Sequence, residues 1–167
     1  MTILRRVIHG AEAGVLAGAG IAGLFLILDV AQLAPLSTPV TLASSLWGPV
    51  ALDPGSDTLA RSLALGLGGA RLVAYSLLHL LAFTAIGVVG AFLINTASFW
   101  TSLLGGVVYG TVACSALFYA GNWMTEAPMV LDAIGPTSIV LVNAMAGAIM
   151  GLGLHIGALD PGDSEAG

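Results

Sequence analysis

Three polar side chains lie inside long apolar stretches of this sequence, where an unpaired polar group is costly. Asp29 lies near the end of the first stretch, His79 about a third of the way through the second, and Asn143 in the last. Gln32 and Tyr75 are each one helical turn from one of them, on the same face. If the stretches cross a membrane as helices, all five side chains fall in one leaflet. The sequence therefore predicts a polar cluster around a buried Asp29–His79 pair, which could hold a proton, a cation or a ligand.

A structural role for the same cluster is the alternative. Hydrogen bonds between side chains stabilise helix contacts in lipid. Asp29 is close to the end of its stretch and could reach the interface at small cost. The spacing leaves both explanations open.

Other residues of metal-ligand type lie toward the opposite ends of the stretches. His9, Glu12 and His155 could share one depth, but helix ends usually carry interfacial polar groups, so we predict no metal site. His79 and His155 lie at different depths and cannot face each other across one porphyrin, and His9 is expected at the interface, so we do not predict a haem with two histidine ligands. We therefore expect no cofactor, with ligation of a single pigment or haem by His79 as the remaining alternative.

The sequence contains none of the common catalytic motifs. HExxH, GxSxG, the P-loop and CxxC are all missing, and Cys114 is the single cysteine. The net charge of -5 argues against a nucleic-acid-binding face. We predict that the protein is not an enzyme and has no nucleic-acid partner.

The composition indicates the kind of structure that positions these polar residues. The chain has 167 residues, of which 57% are hydrophobic and only 8% charged, whereas soluble domains carry about 25% charged residues. Lipid must therefore be most of its solvent. We predict one all-α domain, a four-helix transmembrane bundle, with spans at about 11–34, 70–93, 98–121 and 137–158.

The first loop holds a segment that is too short to cross the bilayer. STPVTLASSLWG predicts a helix with Thr38 as N-cap, Pro39 in the first turn and Gly48 after its end. We expect it to lie at the membrane interface. The GLGG cluster at 66–69 is expected to end any helix that precedes the second span.

Glycines recur at four-residue steps in three of the spans. Such stripes let another backbone approach closely. The predicted packing glycines are Gly10, Gly14, Gly18, Gly106, Gly110, Gly147 and Gly151. Because there are several stripes, we expect the first or fourth span to dock a helix of another membrane protein.

The arginines before the first span indicate the orientation. Arg5 and Arg6 favour a cytoplasmic N-terminus by the positive-inside rule. An even number of spans returns the C-terminus to the same side. We predict a multi-pass protein of the bacterial inner membrane with both termini in the cytoplasm.

Three runs of the sequence carry a resemblance. LILDVAQLAPLSTPVTLASSLWG, VAYSLLHLLAFTAIGVVGAFL and VNAMAGAIMGLGL resemble a group of small uncharacterised bacterial four-span integral membrane proteins. The matching positions are Asp29, Thr38, Pro39 and His79. The resemblance implies four spans and no particular activity.

Two functions are compatible with these features. The first is a non-catalytic accessory or structural subunit of a larger membrane complex, with an electron-transfer complex (respiratory or photosynthetic) as one candidate. Its partners would be the lipid bilayer and other membrane subunits. The second is a small transporter or channel that uses the Asp29–His79 pair.

Overall fold

The structure is a computed structural model that describes residues 2–50, 57–125 and 135–159. These residues are almost entirely helical and contain no strand. The elements are α1 (Ile3–Ala31), α2 (Ser37–Trp47), α3 (Thr58–Leu93), α4 (Phe99–Tyr109), a π-helical turn (Gly110–Cys114), α5 (Ser115–Thr125) and α6 (Pro136–Ala158).

Four helices of the described chain are long and apolar enough to cross a membrane. They are Ile3–Ala31, Thr58–Leu93, Phe99–Trp123 and Pro136–Ala158, which confirms the all-α class. Large apolar side chains such as Leu81, Leu117 and Leu141 are more than half exposed around the outside of the bundle. A lipid-facing surface accounts for this exposure.

Glycines bring α1 and α3 into backbone contact as an antiparallel pair. A Cβ on Gly87 would lie 2.6 Å from the Gly14 Cα, and one on Gly10 would lie 2.8 Å from the Val88 Cα. Any larger residue would push the helices apart. Gly18, one turn further along α1, packs against the Phe83 side chain.

A second glycine contact joins α4 and α6. Gly106 and Gly110 face Gly147 and Gly151, and a Cβ on Gly147 would lie 2.8 Å from the Gly110 Cα. All seven predicted packing glycines thus lie at contacts inside the bundle. Because helices of the bundle already occupy these seven glycines, they are not available to a foreign helix, and docking of the first or fourth span to another protein stays a prediction.

The α1–α2 turn differs from its prediction. Thr38 is not the N-cap but lies inside the first turn of α2, and the N-cap is Leu36. Leu33 and Leu36 have φ angles of 57° and 68°, which are costly for residues with a branched side chain. Gly48 follows the helix as predicted, with a φ of 76°.

The GLGG cluster does not end a helix. α3 continues through Gly66, Gly68 and Gly69 for 36 residues, from a cap at Asp57 to Leu93. Each glycine in a helix costs only about 1 kcal/mol relative to Ala, and the leucines and alanines around the cluster together with the Asp57 cap favour helix. The tail and most of the loop before α6 lie outside the described residues.

Candidate functional site

Asp29 is buried, 3% exposed, at the turn between α1 and α2. Its Oδ1 accepts hydrogen bonds from the Ser37 Oγ at 2.9 Å and the Thr38 Oγ1 at 2.7 Å. Its Oδ2 accepts one from the Thr38 backbone N–H at 2.8 Å. Both oxygens are used, so the carboxylate anchors the first turn of α2, whose amides lack helical partners.

The predicted Asp29–His79 pair is not formed within the described part of the chain. The partners of Asp29 are Ser37 and Thr38, while the His79 ring bonds to α1. Gln32 is exposed at the C-cap of α1 and does not join the cluster. A transporter based on that ion pair therefore loses its structural premise.

His79 joins the middle of α3 to α1. Its Nε2 lies 3.2 Å from the Gly18 backbone oxygen. Because a carbonyl oxygen can only accept, Nε2 carries a proton, and in the neutral ring Nδ1 is then an acceptor. The ring lies between Tyr75 and Phe83, at centroid distances of 6.0 and 4.8 Å and tilted by 34° and 45° to them. Ligation of a pigment or haem through Nε2 would break the bond to Gly18.

Asn143 is held by the residue that follows the π-helical turn. Its Nδ2 donates to the Ser115 Oγ at 3.1 Å, and the side chain is buried. Gly110, which begins the turn, packs on the Asn143 backbone carbonyl. The extra residue of a π turn changes the direction of the side chains after it, and such turns are frequent at functional sites. The run of apolar and small residues from 98 to 121 predicts one continuous span and gives no signal for this turn.

Two cavities meet at Tyr75 and His79. The first, of about 430 Å³, lies between α1, α2 and α3, and we call it the groove cavity. The second, of about 250 Å³, reaches Asn143 and Cys114, and we call it the core cavity. Phe25, Leu42, Tyr75 and His79 line both. Three of the five predicted cluster residues thus share the core cavity, without Asp29 and Gln32.

The chemistry available in the two cavities is uncharged hydrogen bonding. Among the described residues, none that lines either cavity is Asp, Glu, Lys or Arg. Most of the lining is aliphatic or aromatic, with a small number of polar groups. This is the usual make-up of a site for a small apolar molecule.

The residues of metal-ligand type at the other end are separate. The His9 Nδ1 lies 3.2 Å from the Glu12 Oε2, whereas the His155 Nδ1 bonds to the Thr96 carbonyl at 3.3 Å. Among the described residues, no group of three His, Cys, Asp or Glu side chains could hold a metal ion.

Comparison with known proteins adds no relative to these observations. No family model, no curated protein and no solved structure matches this chain.

Proposed function

We propose that the protein is a non-catalytic accessory subunit of a larger membrane complex. The observation that carries this proposal is an apolar face on the N-terminal half of α3. We call it the outer α3 face, and its members are exposed and recur at alternating steps of four and three residues. They are Leu59, Leu63, Gly66, Ala70, Val73 and Leu77.

The length of α3 favours a partner for this face. The 23 residues from Arg71 to Leu93 cover about 34 Å, which is enough for the hydrocarbon core. The preceding residues, 58–70, add roughly 20 Å of helix. Leu59 and Leu63 are 68% and 66% exposed there. Leucines that extend past the hydrocarbon core need a protein surface more than leucines within it do.

The shape of the outer α3 face also suits a helix. Gly66 and Ala70 are one turn apart, a small-xxx-small pattern that admits a second backbone. A Cβ on Gly66 would meet no atom within 4 Å. The spacing of the face matches the seven-residue repeat of two packed helices. The seven predicted packing glycines of α1, α4 and α6, in contrast, are occupied inside the bundle.

The active chemistry of a partner complex would lie elsewhere. The partner of the His79 ring is a backbone carbonyl and not a hydroxyl or thiol that the ring could activate as a nucleophile. This supports a non-catalytic role.

We place the chain in a bacterial inner membrane with both termini in the cytoplasm. Arg71, on the opposite side from Arg5 and Arg6, donates its Nη1 to the Gly48 carbonyl at 2.7 Å. This hydrogen bond accounts for an arginine on the outer side of the membrane, which the positive-inside rule alone does not predict.

One pair of variants tests the proposal. Ala70→Leu should remove the partner from the chain when it is purified from native membranes in mild detergent, because the larger side chain keeps a second helix away. Ala85→Leu is the matched control, since Ala85 is also exposed on α3 but lies outside the outer α3 face. Native electrophoresis should show the complex with wild type and Ala85→Leu only. Migration of wild type as a monomer from every membrane fraction would refute the proposal.

A further inference from the structure

The groove cavity opens at the edge of the bundle, where lipid would lie. Its rim includes exposed residues of two helices, Ala22 and Leu26 of α1 and Ser76 of α3. A Cβ on Gly23, also in its lining, would meet no atom within 4 Å. A chain-like apolar group could therefore enter from the membrane between α1 and α3.

The inner end of this path is polar. The Tyr75 hydroxyl makes no hydrogen bond to a described residue. The Asn143 Oδ1 is likewise unpartnered there, since the amide nitrogen makes the bond to Ser115. Asn143 is only 8% exposed and lines the core cavity. A group in the cavity that can donate a hydrogen bond would therefore complete the bonding of this amide oxygen.

The head group that fits is uncharged. His79 Nδ1 and Asn143 Oδ1 are acceptors, and the Tyr75 hydroxyl can donate or accept. The lining residues that the structure describes carry no charge, and both oxygens of the nearby Asp29 are taken. A free carboxylate, phosphate or ammonium would therefore be desolvated without compensation.

We propose that the two cavities bind an uncharged lipophilic molecule with a hydroxyl head group. The hydroxyl lies in the core cavity, where it donates to His79 Nδ1 or Asn143 Oδ1 and accepts from Tyr75. The apolar tail passes between Phe25 and Leu42 into the groove cavity and out to the lipid. Binding requires only the isolated chain, so its test is independent of the proposed subunit role.

The test uses two probes that differ only in the donor. The purified wild-type chain, in phosphatidylcholine vesicles, is photolabelled with a long-chain alcohol bearing a diazirine in its tail, and separately with the methyl ether of that alcohol. Mass spectrometry locates the labels. The alcohol should label fragments of α1 and α3 around the groove cavity about fivefold more than the ether, because one hydrogen bond is lost with the ether.

Three variants separate the head-group contact from the tail contact. Tyr75→Phe removes a hydroxyl that makes no hydrogen bond to a described residue, so the fold should survive. Labelling by the alcohol should fall about fivefold, because its hydroxyl loses one hydrogen bond. Tyr119→Phe is the matched control, since Tyr119 lines neither cavity, and it should label as wild type. Gly23→Leu fills the groove cavity and should lower labelling by both probes.

Two results would overturn the proposal. One is equal labelling of the same fragments by the alcohol and the ether, which would indicate an apolar groove without head-group recognition. The other is unchanged labelling by the alcohol in both Tyr75→Phe and Gly23→Leu.

Discussion

Replacement of Asp29 should release α2 from the bundle. The carboxylate accepts three hydrogen bonds from the first turn of α2, and hydrogen bonds to a charged group contribute about 1.5–3 kcal/mol each. The Ser37 and Thr38 hydroxyls can turn to water when Asp29 is lost, which lowers the total toward the range for a helix cap. We therefore expect Asp29→Ala to cost about 2 kcal/mol, or roughly a 30-fold rise in the undocked population of α2.

Asp29→Asn should have a smaller effect. The amide Oδ1 can still accept from both hydroxyls, but its NH₂ group would face the Thr38 N–H, and two donors cannot bond. One of three hydrogen bonds is lost, so we expect about 1 kcal/mol and roughly a fivefold rise. The undocked population of α2 should therefore rise in the order wild type, Asp29→Asn, Asp29→Ala. This order follows from the number of hydrogen bonds that each side chain can accept from α2, and not from charge alone.

Accessibility of a single thiol measures this equilibrium. Ala43 on α2 is 5% exposed, so Ala43→Cys in a Cys114→Ala background should react with maleimide only when α2 undocks. Asp57→Ala is the matched control, because the Asp57 Oδ1 also accepts a hydrogen bond from the first turn of a helix, from the Ala60 N–H at 2.7 Å, but that helix is α3. The reasoning is refuted if Asp29→Ala reacts at the wild-type rate, or if Asp29→Asn reacts as fast as Asp29→Ala.

Two further predictions concern packing and orientation. Gly147→Ala should lower the thermal midpoint in detergent, because its Cβ would lie 2.8 Å from the Gly110 Cα, while Gly23→Ala, at an open position, should leave it unchanged; an equal effect of both would contradict the glycine contact. A membrane-impermeant thiol reagent added to intact cells should label Asp57→Cys but reach Thr2→Cys only after permeabilisation, and the reverse pattern would invert the proposed topology.

Composition and spacing were sufficient to predict the four helices and their glycine contacts. Lipid removes the usual alternation between core and surface, so long apolar runs identify spans directly, and small residues one turn apart identify where backbones meet. The spacing of the glycines does not predict which helix packs against which. Gly14 lies against Phe83 and Gly87 of α3, and nothing in the sequence excluded a foreign helix there.

The polar residues were found from their depth, but their partners were not. Asp29 bonds to residues eight and nine positions later, which requires a tight turn with positive φ at Leu33 and Leu36. Leucine rarely adopts that conformation, so no local signal predicts the turn. The Nε2 of His79 bonds to the Gly18 carbonyl across 61 residues, which only the register of α1 against α3 can decide.

The packing glycines and the cavities are two results of one geometry. Gly10 and Gly14 bring α1 and α3 into backbone contact at one end of the pair. Past Gly18, side chains as large as Phe25 and Leu72 face the space between the helices. Helices that touch at one end and carry larger side chains at the other must diverge, and α2 covers the gap. The anchor at Asp29 holds that cover, so its loss should open the groove cavity and leave the glycine contact intact.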